Sequence, residues 1–98
     1  MFVVRNVFRA HPGKSKALVA VFKKAQPIIE ATGVGGKHRI LTDAVAGFWT
    51  VVVEAEVEDL DAYLDIAKVV SQYPEIGEAM KGYMDLVDSG YREVFTVE

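Results

Sequence analysis

Apolar and polar side chains alternate over the first nine residues and then change to a helical spacing. Phe2, Val4, Asn6 and Phe8 share one face of a predicted first strand, which ends at a Pro-Gly turn. Apolar residues then recur at intervals of three and four, which predicts an amphipathic helix with Pro27 inside it and a kink or a new turn near Lys23. Its stripe comprises Leu18, Val21, Phe22, Ala25, Ile28 and Ile29, and the glycines of "GVGG" end it at Gly33, Gly35 and Gly36.

Two further strands are predicted in the middle of the chain, at residues 37–43 and 48–57, joined by "AVAG" as a hairpin. Val51, Val52 and Val53 are consecutive, and β-branched residues favour the extended conformation. Because neighbouring side chains in a strand point to opposite sides, both faces of this strand are apolar. Something must therefore cover each face.

The second half of the chain is predicted to be helical before it closes with a strand. Asp59 is an expected N-cap, followed by an apolar stripe of Leu60, Tyr63, Leu64 and Ala67. "SQYPE" interrupts this helix, and Pro74 suits the first position of another. This helix is expected to run to Ser89 and Gly90, and "YREVFTVE" is predicted to be the last strand. The apolar stripe of the helix comprises Ile76, Ala79, Met80, Tyr83 and Val87.

This order, βαββαβ, predicts a single ferredoxin-like α+β domain over residues 1–98, with a four-stranded antiparallel sheet and helices on one face. The other face of the sheet would then be apolar and uncovered. Exposed apolar areas of several hundred Å² are unusual in monomers. A homodimer that packs sheet against sheet would cover it.

Composition narrows the class of protein. The chain has 98 residues, a net charge of −3 and no cysteine, and no stretch reaches the roughly 18 apolar residues of a membrane span. We therefore expect a cytoplasmic protein without disulfides and without a membrane partner. Residues 1–53 carry a net charge of +6 and residues 54–98 carry −9, and we expect the two halves to interleave in the fold.

The Pro-Gly-Lys turn after the first strand, the segment "LTD…GFWTVVVEAEVEDLDAYL" and the closing "SGYREVFTVE" together resemble the dimeric α+β barrel superfamily. Within it, the chain is most similar to NIPSNAP-like proteins and to antibiotic-biosynthesis-monooxygenase-like (ABM-like) domains. The resemblance implies that two ferredoxin-like subunits close their sheets into a barrel, with a ligand cavity between each sheet and its own helices. Members of this superfamily include cofactor-free oxygenases, haem-degrading enzymes and many proteins of unknown activity, so the resemblance implies one of these classes.

Haem degradation is disfavoured by the residues at the matching positions. Asn6 matches an asparagine of the haem-degrading members, but Glu54 stands where they place a tryptophan, and Met80 falls near their axial histidine. A methionine at core spacing is more often a packing residue than an iron ligand. We therefore predict that no cofactor is required.

The candidate site combines polar residues with an apolar wall. Asn6, Thr50 and Glu54 are interpreted as sharing one sheet face, where Glu54 could act as a general base and Asn6 as an oxyanion donor. The alternative is that Glu54 lies in solvent or pairs with a Lys or Arg. The predicted ligand pocket comprises Asn6, Phe8, Phe48, Thr50, Glu54, Met80 and Tyr83.

His38 is a second candidate base, although a structural or exposed histidine is the more common case. A lone histidine without an adjacent acid predicts neither a metal site nor a triad. RNA-recognition motifs share the βαββαβ order, but Thr50 and Val53 occupy the positions of their stacking aromatics. We therefore predict no nucleic-acid partner.

Two hypotheses for function remain. The first is a homodimeric, cofactor-independent monooxygenase acting on a small apolar or aromatic ligand. The second is a non-catalytic ligand-binding or structural dimerisation module. A cavity of at least a few hundred Å³, reached from solvent and lined by Asn6 or Glu54, would favour the first hypothesis, and a sealed core would favour the second.

Overall fold

Four strands form one antiparallel sheet in the order β2 (His38–Thr42), β3 (Thr50–Val57), β1 (Phe2–Ala10) and β4 (Val87–Thr96), and the helices pack on one of its faces. A computed structural model of the chain describes residues 1–34, 36–45 and 47–98. The predicted ferredoxin-like α+β fold and the β2/β3 hairpin are confirmed. The elements are β1 (Phe2–Ala10), α1 (Ser15–Ala31), β2 (His38–Thr42), β3 (Thr50–Val57), α2 (Leu60–Leu64), α3 (Ile66–Ser71), α4 (Pro74–Ala79), a 3-10 helix (Tyr83–Leu86) and β4 (Val87–Thr96).

The strand register decides which side chains meet the helices. Asn6 of β1 lies opposite Val53 of β3 and Arg92 of β4, so these three residues point to the same face of the sheet. Val4 and Val51, on that face, are fully buried. We call this the helix face and its opposite the open face.

Two apolar clusters hold the helices against the sheet. Leu18 and Phe22 of α1 pack on Ala10 and Val51. Tyr63 of α2 belongs to a second cluster with Val4, Ala55 and Val57. Burial of apolar surface stabilises both, and the site described below is lined by members of each.

α1 is one continuous helix that includes Pro27, and the expected new turn near Lys23 does not form. α2 begins as predicted, because the Asp59 carboxylate accepts a hydrogen bond of 3.1 Å from the Ala62 N–H. The helical stripe is nevertheless split, since α2 ends at Leu64 and α3 starts at Ile66. The chain thus covers this part of the sheet with short helices.

The predicted helix from Pro74 to Ser89 is wrong in its second half. α4 ends at Ala79, and Gly82 then adopts a φ of 83°, in the left-handed region that glycine tolerates. Residues from Val87 onward pair with β1, so β4 begins four residues before the predicted start at Tyr91. Tyr83 lies in the 3-10 helix, and sheet pairing overrides the helical spacing at Val87.

The beginning of the third strand also differs from its prediction. Trp49 has a φ of 62°, which interrupts extended backbone, and β3 starts at Thr50 instead of Phe48. The Asp43 carboxylate accepts a hydrogen bond of 2.9 Å from the Thr50 N–H and closes this turn. Gly35 and Ala46, predicted to lie in connecting segments, are outside the described residues.

Across the described ranges, none of the helices has the length and apolar character needed to cross a membrane.

Candidate functional site

A cavity of about 160 Å³ lies between the helix face of the sheet and the helices. It is smaller than the few hundred Å³ that would favour the monooxygenase hypothesis, so that criterion is not met, and it is comparable to a cavity of about 150 Å³ that holds a benzene molecule. Its size therefore suits one aromatic ring. The residues that line it are Asn6, Phe8, Phe22, Ala25, Gln26, Ile29, His38, Ile40, Val53, Tyr63, Ile66, Met80 and Arg92.

Apolar side chains form most of the cavity wall. The rings of Phe8 and Phe22 lie 5.0 Å apart between centroids and are inclined by 45°, a favourable aromatic pair. Ile66 and Met80 contribute further apolar lining from α3 and from the end of α4. Such a wall lowers the local polarity and strengthens hydrogen bonds made against it.

The polar part of the cavity is a chain of hydrogen bonds centred on Asn6. The Arg92 Nε donates to Asn6 Oδ1 at 2.7 Å, and Asn6 Nδ2 donates to the Tyr63 hydroxyl oxygen at 3.2 Å. Asn6 is the one polar residue that β1 places on the helix face. The amide therefore links a guanidinium at the edge strand to a buried phenol.

Tyr63 is 3% exposed, and its position follows from the N-cap that starts α2 at Leu60. Because its oxygen accepts from Asn6, its own proton remains free to donate. No acceptor for that proton is found among the residues that the structure describes. A ligand oxygen in the cavity is a suitable acceptor.

His38 lies at the first position of β2, next to the cavity. Gln26 of α1 donates to the His38 carbonyl oxygen at 2.6 Å, which holds the start of this strand against the helix. The imidazole ring lies 6.2 Å from the Tyr63 ring between centroids. Its Nδ1 is buried and has no hydrogen-bond partner within the described part of the chain.

Burial lowers the pKa of His38 below its ordinary value of 6.5, while the charge of Glu30 and the nearby backbone of Gly36 raise it by smaller amounts. The imidazole is therefore neutral at pH 7. A neutral imidazole with an unpartnered nitrogen can accept a proton from a bound molecule.

The cavity brings together only some of the predicted site residues. Asn6, Phe8, Met80 and His38 line it, whereas Phe48, Thr50, Glu54 and Tyr83 do not. Phe48 is 75% exposed in the loop before β3. Tyr83 packs beside Phe22, with 6.3 Å between ring centroids, and fills the core next to the cavity.

The predicted shared face of Asn6 and Glu54 is wrong. Asn6 lies opposite Val53, so the next residue of β3, Glu54, points to the open face together with Thr50 and Val52. The sequence alone did not provide the register between β1 and β3, and a shift of one residue exchanges the two faces. Glu54 cannot act on a ligand held between the sheet and the helices.

Glu54 instead pairs with two guanidinium groups, as the alternative interpretation expected. Its carboxylate lies 3.3 Å from the Arg5 Nε and accepts a hydrogen bond of 2.9 Å from the Arg39 Nε. The expected interleaving of the basic and acidic halves of the chain occurs at this point.

Sequence reasoning missed Gln26 and Arg92, and it left Tyr63, with Trp49 and Tyr83, as an aromatic that could line a pocket or fill the core. Tyr63 was one of several aromatics at core spacing, and nothing local distinguishes it from a packing residue. Arg92 reaches the cavity because β4 pairs with β1 and sets it opposite Asn6. The one sequence signal was the polar Asn6 within an otherwise apolar strand face.

Among residues 1–34, 36–45 and 47–98, no three His, Cys, Asp or Glu side chains are grouped in a way that could hold a metal ion.

Comparisons with known proteins identify the fold. No protein-family model and no curated protein matches the chain. Among solved structures, a NIPSNAP domain protein from Burkholderia xenovorans matches with a TM-score of 0.84 and 13% identity, over 100% of this chain and 95% of that one. A putative antibiotic biosynthesis monooxygenase from Nitrosomonas europaea matches with a TM-score of 0.73 and 11% identity, over 99% and 98%.

A third match is SnoaB, a cofactor-independent oxygenase from Streptomyces nogalater. Its TM-score is 0.69 and its identity is 18%, over 98% of this chain and 91% of that one. Identities this low establish the fold and not the chemistry. The predicted resemblance to NIPSNAP-like and ABM-like proteins is therefore confirmed as a likeness of fold.

Proposed function

We propose that the protein is a cofactor-independent monooxygenase whose substrate is a small, electron-rich phenol bound between the sheet and the helices. The observation that carries this proposal is the buried, unpartnered Nδ1 of His38 beside a cavity that also holds the Tyr63 hydroxyl. Together they supply a proton acceptor and a hydrogen-bond donor inside an apolar wall. The same fold occurs in a cofactor-independent oxygenase, so the fold is compatible with this reaction class.

In the first step, His38 takes the proton from the phenol hydroxyl. The phenolate oxygen would accept a hydrogen bond from Tyr63, whose oxygen is in turn held by Asn6 and, through it, by Arg92. Donors aimed in advance at a developing negative charge stabilise it without having to reorganise. The same contacts orient the ring among the apolar side chains.

In the second step, the phenolate gives one electron to dioxygen, forming a phenoxyl radical and superoxide. These combine at a ring carbon to a peroxide, which takes up the proton from His38, loses water and leaves a quinone carbonyl. The overall reaction, phenol plus O₂ to quinone plus water, balances in atoms and electrons. Dioxygen is the only co-reactant.

We also propose that the protein acts as a homodimer through its open face. In register across β2, β3, β1 and β4, that face carries the row Arg39, Glu54, Arg5 and Glu93. The row alternates in charge, so a two-fold axis parallel to the strands would set each guanidinium opposite a carboxylate of a second copy. Tyr91 and Phe95 on the same face are 63% and 46% exposed and would be covered.

The cysteine-free sequence suits a reducing compartment, and we propose that the dimer acts in the cytoplasm.

The test is oxygen consumption by the purified protein with a panel of single-ring dihydroxy- and trihydroxybenzenes. We expect one equivalent of O₂ consumed per quinone formed, without added metal or flavin. The variant His38→Gln should lose at least tenfold in kcat while remaining folded. A wild-type rate equal to the rate without protein across the panel would refute the proposal.

A specific observation favours the second hypothesis, a non-catalytic ligand-binding module. Catalytic histidines are usually oriented by a side-chain hydrogen bond, and within the described residues no side chain makes one to the His38 ring. Phenols that bind to the cavity but consume no oxygen would identify this function.

A further inference from the structure

Arg92 differs from the two arginines of the open-face ion cluster. Arg5 and Arg39 both pair with Glu54. Arg92 lies on the helix face and lines the cavity, and no described acidic side chain forms an ion pair with it. Its positive charge at the cavity is therefore not neutralised by the part of the chain that the structure describes.

The guanidinium of Arg92 is held in a defined position. Its Nε donates to Asn6 Oδ1 at 2.7 Å, which uses one of its five N–H donors. The four donors of the two terminal nitrogens remain available. Two parallel N–H donors of a guanidinium match the two oxygens of a carboxylate, which is the strongest pairing available to this side chain.

The size and composition of the cavity define the rest of the ligand. About 160 Å³ of apolar space holds one ring, and Arg92 is an exposed residue at its border. A carboxylate attached to that ring can thus meet Arg92 and keep contact with water, which avoids the cost of burying a charge completely. Tyr63 and His38 then remain available to interact with a second oxygen-containing group on the ring.

We infer that the cavity is specific for single-ring aromatic carboxylates, with Arg92 as the residue that binds the carboxylate. The inference rests on the proposed function for the identity of the second oxygen, which makes the substrate a hydroxybenzoate. The carboxylate contact itself involves no chemistry of the ring. It can therefore be measured without turnover.

The test is calorimetric or NMR titration of the intact protein with benzoate and with benzamide, which has nearly the same shape but no charge. We expect benzoate to bind at least tenfold more tightly than benzamide. In Arg92→Gln, the affinity for benzoate should fall at least tenfold while the affinity for benzamide changes less than twofold. Arg9→Gln, an exposed arginine of β1 on the open face, is the matched control and should leave both affinities unchanged.

Ionic strength gives a second readout. The affinity for benzoate should fall as NaCl is raised from 0.05 to about 0.5 M, and the affinity for benzamide should not. Equal affinities for the two ligands in the wild type, or an equal loss for both in Arg92→Gln, would overturn the inference.

The outcomes separate this inference from the proposed function. Selective benzoate binding without oxygen consumption by hydroxybenzoates would refute the monooxygenase and support the carboxylate site. Oxygen consumption with uncharged phenols and no preference for hydroxybenzoates would support the monooxygenase and refute the carboxylate site.

Discussion

Replacing Glu54 by Gln tests whether this residue stabilises the open face through ion pairs, as in the structure, and does not act at the cavity, as the sequence-based interpretation had it. The Glu54 side chain is only 13% exposed and holds two guanidinium groups, of Arg5 and Arg39. The Arg39 side chain is 71% exposed, so its pair contributes about 0.2–1 kcal/mol. The Arg5 Nε is buried, makes no hydrogen bond with a described residue, and is compensated there only by the Glu54 carboxylate 3.3 Å away; leaving such a donor uncompensated costs about 1–3 kcal/mol.

These terms give a predicted loss of about 1–2 kcal/mol for Glu54→Gln, because the remaining amide oxygen can still accept one hydrogen bond. In a domain of this size, that loss corresponds to a decrease in Tm of about 5–15 °C. The free energy of unfolding should be measured by urea denaturation at one fixed protein concentration, since dimerisation would make it concentration-dependent.

Glu56→Gln is the matched control. Glu56 is an exposed acid two residues along the same strand and on the same face, and it makes no ion pair with a described residue. Its substitution should change the free energy of unfolding by less than about 0.5 kcal/mol. Equal changes in the free energy of unfolding for Glu54→Gln and Glu56→Gln would refute the role given to the Glu54 ion pairs. A weaker affinity for benzoate in folded Glu54→Gln would refute the assigned sheet face, because Glu54 lies on the far side of the sheet from the cavity.

Three further predictions follow from burial, protonation and exposure. Leu18→Ala should lower the free energy of unfolding by about 3 kcal/mol because Leu18 is 0% exposed, whereas Met84→Ala, at a position 69% exposed, should change it by less than about 0.5 kcal/mol in the same urea titration. Burial lowers the pKa of His38 in the folded chain, so as the pH falls the imidazole of the unfolded chain is protonated before that of the folded chain. The stability that neutral His38 contributes is therefore complete above pH 6.5 and is lost as the pH falls through the lowered pKa. Urea titrations at pH 7.5 and 5.5 should show that His38→Gln loses less stability over this range than the wild type does, and an equal loss would contradict the assignment. Phe95→Asp should convert the expected dimer to a monomer in light scattering at micromolar concentration, whereas Phe48→Asp, outside the sheet, should not.

The fold was largely predictable because each element carries its own periodicity. Alternation in β1, the helical stripe of α1 and the valines of β3 each specify a local conformation, and their order specifies a ferredoxin-like domain. The Asp59 N-cap was predictable for the same reason, since it depends on contacts only three residues apart. Element ends were less predictable, because Gly82 and Trp49 adopt left-handed backbone that the side-chain pattern does not indicate.

In the candidate site, too, residues marked by a local pattern were predictable, and residues that depend on strand pairing were not. Asn6 was proposed because a polar residue on an apolar strand face is visible in the sequence, and His38 because it is the one histidine inside a predicted strand or helix; both line the cavity. Glu54 was misassigned because its face depends on which residue of β1 it opposes. Arg92 was missed because it is 86 residues from Asn6 in sequence and meets it only through the β1/β4 pairing.

The amino-acid sequence by itself determined the βαββαβ order of the elements and the presence of polar side chains among apolar ones, since these depend on propensities and spacings within a few residues. The tertiary structure alone decided which face each polar residue occupies and which distant side chains meet. The physical reason is that the side chains of a strand repeat every two residues, so that a register change of a single residue moves every side chain to the other face of the sheet.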